Sequence, residues 1–323
     1  MISRARACFP ARANRARRAS AGKLNVERRM PRGGQSRGRL EKVRLWVWMR
    51  THVLYARSRY WRSLIERADE LMASPVFHAL KDEGRTIAGV LELPGRPPVF
   101  LKRTRERSWP SGIAARGVGS RAARALAGAE ILAAAGIAHP APLAAMNQLS
   151  AGAVRASYLM SEALAGADSL SRFALGPGEI KGRDARRRRR ILGTVAREVK
   201  RMHDAGIYTR DLQETNVMVA DGGGGEGFRV WFIDLEDIRR VREVSRARRI
   251  RNLVHLDRSI GRFLCRAARL AFLYDYLGAH PEPGQTRRMV RDVLAMRAQI
   301  DHSRARRRMP RSHPRGRARS ALL

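Results

Sequence analysis

The feature that most constrains how this chain can fold is the run from residue 208 to residue 234. A segment of helical period precedes it, with Ile191, Val195, Val199 and Met202 along one face and Gly206 placed to cap it. The loop that follows carries Asp211 and, after four intervening residues, Asn216. Then come two β-forming runs, NVMVA and FRVWFID, joined by the turn-forming DGGGGEG. A hairpin returns the chain to its starting point, so Asn216 at its entry and Asp234 at its exit are brought together. Two carboxylates and an amide are thereby gathered at the edge of a small sheet.

The remaining patterns sort into a β-rich half and a helical half. Residues 1–43, rich in Arg, Ala, Gly and Ser, read as a disordered basic arm. Residues 44–74 interleave Trp and Tyr with Arg and read as an amphipathic helical segment, packed on the folded domain or lying at a membrane surface. RTIAGVLEL and PPVFLKRT form a second hairpin around Pro94-Gly95-Arg96-Pro97. A helix is expected from about 120 to 135, stopped by Gly136 and Pro140, and LAAM and SYLMSEAL read as strands. After the catalytic-type loop the chain is mostly helical over 252–277. The expected fold is α+β and two-lobed, like protein kinases. A small antiparallel β lobe with one helix over 75–161 precedes a mainly helical lobe over 162–300, and 301–323 is a disordered basic tail.

The order Asp, four residues, Asn, hairpin, Asp resembles the kinase pattern of catalytic loop and metal-binding strand end. Phosphoryl transfer demands alignment and charge neutralisation more than covalent help. In that pattern Asp211 accepts the proton of the attacking hydroxyl, and Asn216 and Asp234 hold Mg2+ on the nucleotide phosphates. The other parts have candidates upstream. Lys102, in the strand Val99-Phe100-Leu101-Lys102, stands where a phosphate-binding lysine is expected. Glu130, in the middle of a helix, stands where that lysine's partner is expected. Ser161-Glu162-Ala163-Leu164 falls at the adenine-binding hinge, which makes Glu162 a nucleotide-side candidate.

A narrower resemblance is to the bacterial lipopolysaccharide kinases, the Kdo kinases and core heptose kinases, from about Phe77 to Leu277. It is carried by the run Met202 through Ile207, by TRDLQETNV and by FIDLEDIRR. It is carried also by Leu256-Asp257-Arg258-Ser259 ahead of Phe272-Leu273-Tyr274-Asp275-Tyr276-Leu277, a segment generic kinases lack. The resemblance implies ATP and Mg2+ as cofactors, and a sugar hydroxyl of the lipopolysaccharide inner core as acceptor. It also implies work at the cytoplasmic face of the inner membrane. Departures are Thr209 in place of the usual His, Leu235-Glu236-Asp237 without a glycine after Asp234, and no G-x-G-x-x-G before Lys102, only Gly84 and Gly89.

Bulk composition fits without deciding. A net charge of +37 favours anionic partners: a lipopolysaccharide precursor, an anionic membrane surface or, as the rival class, nucleic acid. No recognised nucleic-acid motif accompanies the charge. A kinase of the same fold acting on another sugar or small molecule is the nearer alternative. The two cysteines form no CxxC pair, which leaves no basis for a disulfide framework or zinc site. No apolar run nears the roughly 20 residues of a bilayer span, and the expected location is cytoplasmic and peripheral to the membrane.

Overall fold

The computed structural model describes residues 49–175, 183–222, 227–278 and 281–308. An antiparallel β lobe is followed by a helical lobe, as expected from the element order. The residues read as disordered arm, 1–43, lie outside the described residues.

The first lobe is a six-stranded antiparallel sheet in the order β1-β5-β6-β4-β3-β2. Its strands are β1 (Met49–Ala56), β2 (Phe77–Glu83), β3 (Thr86–Leu91), β4 (Val99–Arg105), β5 (Pro142–Ser150) and β6 (Ala153–Glu162). Strand alternation divides the sheet's faces. Val99 and Leu101 of β4 are buried with Leu91, Met146, Tyr158 and Met160 in one apolar cluster. The intervening Lys102 points to the other face, paired across the ladder with Leu159, which packs on the second lobe's core.

The aromatic and Arg-rich segment 44–74 is not helical throughout, which corrects the sequence reading. Residues 49–56 form β1, the edge strand, paired from Met49↔Ser150 to Ala56↔Ala144. Thr51, Val53 and Tyr55 sit at period two, the strand period, in a run too short to stand out from the Trp, Tyr and Arg around it. Two short helices follow, α1 (Arg59–Glu66) and α2 (Ala68–Met72). They cover the apolar face through Ile65, Ala68 and Trp61. Asp69 of α2 accepts from the Tyr158 hydroxyl at 2.9 Å and from Arg103 at 2.8 Å, which ties the segment into the lobe. Trp46 and Trp48 lie outside the described residues.

Two further helices belong to this lobe. The unexpected one, α3 (Trp109–Gly117), starts with a reciprocal Ser108/Ser111 capping box. The expected one, α4 (Arg121–Ala134), is capped by Ser120, whose hydroxyl accepts from the Ala123 amide at 3.2 Å.

The second lobe is built on α6 (Arg183–Asp204), preceded by α5 (Leu170–Leu175). Ile191, Val195, Val199 and Met202 are all fully buried, as their spacing requires. Two small sheets lie at its end. One orders β10 (Phe228–Phe232), β9 (Val217–Asp221) and β7 (Asp168–Ser169); the other pairs β11 (Ile238–Arg240) with β8 (Ile207–Thr209). Of the glycine turn between β9 and β10, residues 223–226 lie outside the described residues. Three helices complete the lobe: α7 (Arg246–Ile260), α8 (Arg266–Leu277) and α9 (Pro283–Arg308).

The last helix corrects a second expectation. Residues 301–308, read as disordered tail, continue α9. Met289 and Val293 are buried in the lobe's core, and Met296 and Ile300 pack against it at helical spacing. Residues 309–323 lie outside the described residues.

Candidate active site

The loop that carries Asp211 is held from below by a chain of buried hydrogen bonds. Gly206 ends α6 with φ +75, where a Cβ would sit 2.3 Å from the Val241 carbonyl, so the turn suits only glycine. The Val241 amide donates to the Gly206 carbonyl at 2.8 Å and begins the β8–β11 pairing. Asn252 of α7 donates through Nδ2 to the Thr209 carbonyl at 2.6 Å. That contact fixes the Asn252 amide orientation, so its Oδ1 accepts, and His203 Nε2, 3.0 Å away, must be the donor. His203 Nδ1 is then bare and accepts from the Tyr276 hydroxyl at 2.8 Å. The ring is neutral. Burial first, and Arg249 second, push its pKa down to about 4 against the pull of Asn252 and Asp204.

Thr209, where a histidine is usual, also contributes. Its hydroxyl accepts from the Asp211 amide at 3.2 Å and shapes the turn into the loop. Gln213 Nε2 donates to the Asp211 carboxylate. Asn216 Nδ2 donates to the Asp211 carbonyl at 3.0 Å, which leaves the Asn216 side-chain oxygen for another partner. The hairpin behaves as its sequence predicts: Phe232 pairs with Val217, and the Ile233 amide donates to the Asn216 carbonyl at 3.0 Å. Asp234 therefore emerges beside Asn216. It does so in the left-handed region, φ 57 and ψ 59, a strained conformation of the kind that collects at functional sites.

The sheet delivers the cation. Lys102 Nζ donates to Asp234 at 2.9 Å and to Glu236 at 2.8 Å. Glu236 is buried and also accepts from Arg121 at 2.9 Å. Burial alone would lower the Lys102 pKa, but the Glu236 and Asp234 carboxylates outweigh it and raise it above the usual lysine value.

The expected partner of Lys102, Glu130, is not brought to it. The buried face of α4 consists of Ala122, Ala125, Gly128, Ala129 and Leu132. Glu130 stands roughly 200° around the helix from Gly128, at 3.6 residues per turn, and is exposed with no ion pair among the described residues. The role falls instead to Glu236, two residues after Asp234 in LEDIRR. The close packing explains why. A Cβ on Gly128 would lie 2.1 Å from the Leu235 carbonyl, so the helix rests its backbone directly on the turn that carries Glu236. An acidic residue at that short remove from Asp234 was the available signal; Asn252 and Tyr276 lay within segments already singled out, but their pairing with His203 was not readable.

Glu162 ends β6 opposite Val99, three ladder positions from Lys102, about 10 Å along the strand. Its side chain is half-exposed and pairs with Arg57 at 3.1 Å, while its amide donates to Ala141. Gly84 forms the β2–β3 turn at φ +52, whereas Gly89 is pressed against the β2 backbone, where a Cβ would meet the His78 carbonyl at 2.3 Å. Asn216 and Asp234 supply an amide oxygen and a carboxylate, hard donors of the kind Mg2+ takes together with substrate phosphates. Among the described residues no cluster of three or more His, Cys, Asp or Glu could hold a metal.

Residues 119–276, from the start of α4 to the Tyr276 that contacts His203, match the family model described as Lipopolysaccharide kinase (Kdo/WaaP) family. That match spans just under half of the chain's 323 residues. The match supports a kinase connected with the lipopolysaccharide core. Among solved structures, WaaP in complex with acyl carrier protein is 21% identical over 79% of this chain and 98% of that one, with a TM-score of 0.55. At that identity the likeness shows the fold. The Rio2 kinase–ADP/Mg2+–phosphoaspartate complex from Chaetomium thermophilum aligns at 12% identity over 74% of this chain and 75% of that one, with a TM-score of 0.39, too loose to carry an argument. No curated protein matches the chain. Among the described residues no helix is long and apolar enough to cross a membrane.

Proposed function

We propose that the protein transfers the γ-phosphoryl group of ATP, with Mg2+, to a sugar hydroxyl of the lipopolysaccharide inner core, on Kdo or heptose. The observation that carries this reading is the convergence at Asp234. Lys102 reaches it at 2.9 Å from one lobe, while the hairpin sets it beside Asn216 and the Asp211 loop in the other. In this reading Asp211 faces the acceptor and takes the proton of the attacking hydroxyl, with Gln213 orienting its carboxylate. Lys102, kept cationic by Glu236, contacts the phosphates. Asn216 and Asp234 hold Mg2+, which when bound neutralises phosphate charge. The hinge after β6, around Glu162, contacts the adenine through its backbone. The surplus of positive charge holds the protein to anionic lipid at the cytoplasmic face of the inner membrane, where such an acceptor is presented.

The test is transfer from labelled ATP to lipopolysaccharide precursors, with nucleic acid and aminoglycosides as control acceptors. The wild-type chain labels the glycolipid alone, and Asp211→Ala reduces transfer by at least a thousandfold while its melting temperature holds. Undiminished transfer by Asp211→Ala, or labelling of the controls in preference, would overturn the assignment.

A further inference from the structure

The seam between α7 and α9 is closed by ion pairs along most of its length. Arg246 donates to Asp292 at 2.7 Å, Arg297 donates to Asp257 at 2.7 Å, and Arg258 meets Asp301. Arg251 of α7 and Arg304 of α9 break the pattern. They line one cavity of about 320 Å³ together with Met296, Gln299, Ile300 and Ser303. Neither arginine meets a carboxylate among the described residues. Two like charges at one cavity repel each other, and an anion shared between them relieves that repulsion.

One wall of the cavity, α7, packs on the catalytic loop, where the Ser259 hydroxyl accepts from the Glu214 amide at 3.1 Å. Arg251, His255 and Arg258 fall at i, i+4 and i+7, on one face of α7. Half-buried His255 feels the charge of Asp211 and also the charges of Arg251, Arg304 and Arg258. One helical turn, about 6 Å, separates Arg251 from His255. Burial, reinforced by the three arginines and opposed by Asp211, keeps the His255 pKa below its ordinary value. The neutral ring can bridge the basic cavity and Asp211 without adding repulsion.

From this arrangement we infer that the cleft between α7 and α9 is an oxyanion subsite for the acceptor. Arg251 and Arg304 grip a phosphate or carboxylate carried by the acceptor, and this sets a neighbouring hydroxyl against Asp211. The planar guanidinium fork suits such a group bidentately. Acceptors with an anionic group near the reactive hydroxyl gain this contact, and acceptors without one do not. The inference rests on the kinase reading above for the acceptor's role, but not for the existence of the subsite.

Two measurements on the full chain separate those dependencies. The first, without nucleotide, maps carbethoxylation of His255 by diethyl pyrocarbonate with and without inorganic phosphate. Phosphate slows modification at least fivefold in the wild type and not in the Arg251→Gln/Arg304→Gln double variant. Arg246→Gln, which breaks an ion pair in the same seam, keeps the protection. A wild-type rate unaffected by phosphate overturns the subsite, whatever the acceptor proves to be. The second measures transfer to the lipopolysaccharide precursor. The double variant raises the acceptor KM at least tenfold and leaves the ATP KM within twofold. An unchanged acceptor KM overturns the acceptor role. Failure of the wild type to label any lipopolysaccharide precursor overturns the proposed function instead, while the phosphate protection still decides the subsite.

Discussion

Lowering the pH should weaken this protein through one identifiable ring. His203 is fully buried between Tyr276 and Asn252, and its pKa is pushed down to about 4 from the ordinary 6.5. The folded state requires the neutral ring, while the unfolded chain takes up a proton below about 6.5. The depressed value sets the sign. The ring's contribution is whole above about pH 6.5 and is lost as the pH falls toward 4. Between pH 7.5 and pH 5 those two values give a loss of about 2 kcal/mol from this one group. His203→Gln removes the titration and keeps an amide able to hydrogen-bond. The assay is urea unfolding of both proteins at the two pH values, read by circular dichroism. The variant starts less stable, and the wild type then loses about 2 kcal/mol more than the variant across the interval. Equal losses would refute the argument that burial holds the ring neutral. Because Asn252 ties His203 to the Thr209 carbonyl, transfer activity should fall with stability at acid pH in the wild type, and more shallowly in the variant.

The other expectations concern the Lys102 side. Glu236→Gln leaves Lys102 with Asp234 alone and strips Arg121 of its partner. Breaking a buried pair costs about 3–5 kcal/mol, and the half-exposed Arg121 brings the expectation down to roughly 2 kcal/mol of stability, with at least a tenfold loss of kcat/KM for ATP. Glu130→Gln should change neither quantity by a measurable amount, and steady-state kinetics on the two variants would expose the opposite ranking if α4 did carry the partner. Gly128→Ala forces a Cβ to 2.1 Å from the Leu235 carbonyl. The strain should cost about 1–3 kcal/mol and lower kcat, and a melting curve that superimposes on the wild type would show that α4 does not rest on this turn.

What the sequence made legible was local and periodic. The face of α6, the glycine that ends it and the hairpin from Asn216 to Asp234 depend on neighbours within a few residues, and all form as read. The misreadings have physical causes. In β1 pairing with β5 about 90 residues away decides the outcome, which no local signal reports. In α9 the apolar residues Met289, Val293, Met296 and Ile300 keep helical spacing, but residues 301–308 carry no large apolar residue among their arginines, so the last turns read as a basic tail. Glu130 was placed correctly on a helix and wrongly around it. The stripe of small residues from Ala122 to Leu132 marks the buried side, and a small-residue stripe signals close approach of a backbone, here that of Leu235.

The three-residue turn Leu235–Asp237 is where the two lobes and the loop are joined. Its first residue takes the weight of α4 through Gly128. Its second binds Lys102 and Arg121 through its side chain and accepts from Arg239 through its carbonyl at 3.0 Å. Its third accepts from the Arg210 amide, next to Asp211, at 3.4 Å. Asp234 precedes it in a left-handed conformation. A lysine partner borne on a helix can be withdrawn by rotating that helix. A partner borne on this turn cannot be withdrawn without also moving Asp234 and the loop beside Asp211. The acid's place two residues after Asp234 therefore ties the charge state of Lys102 to the position of Asp234, and α4 acts by packing where a carboxylate was expected.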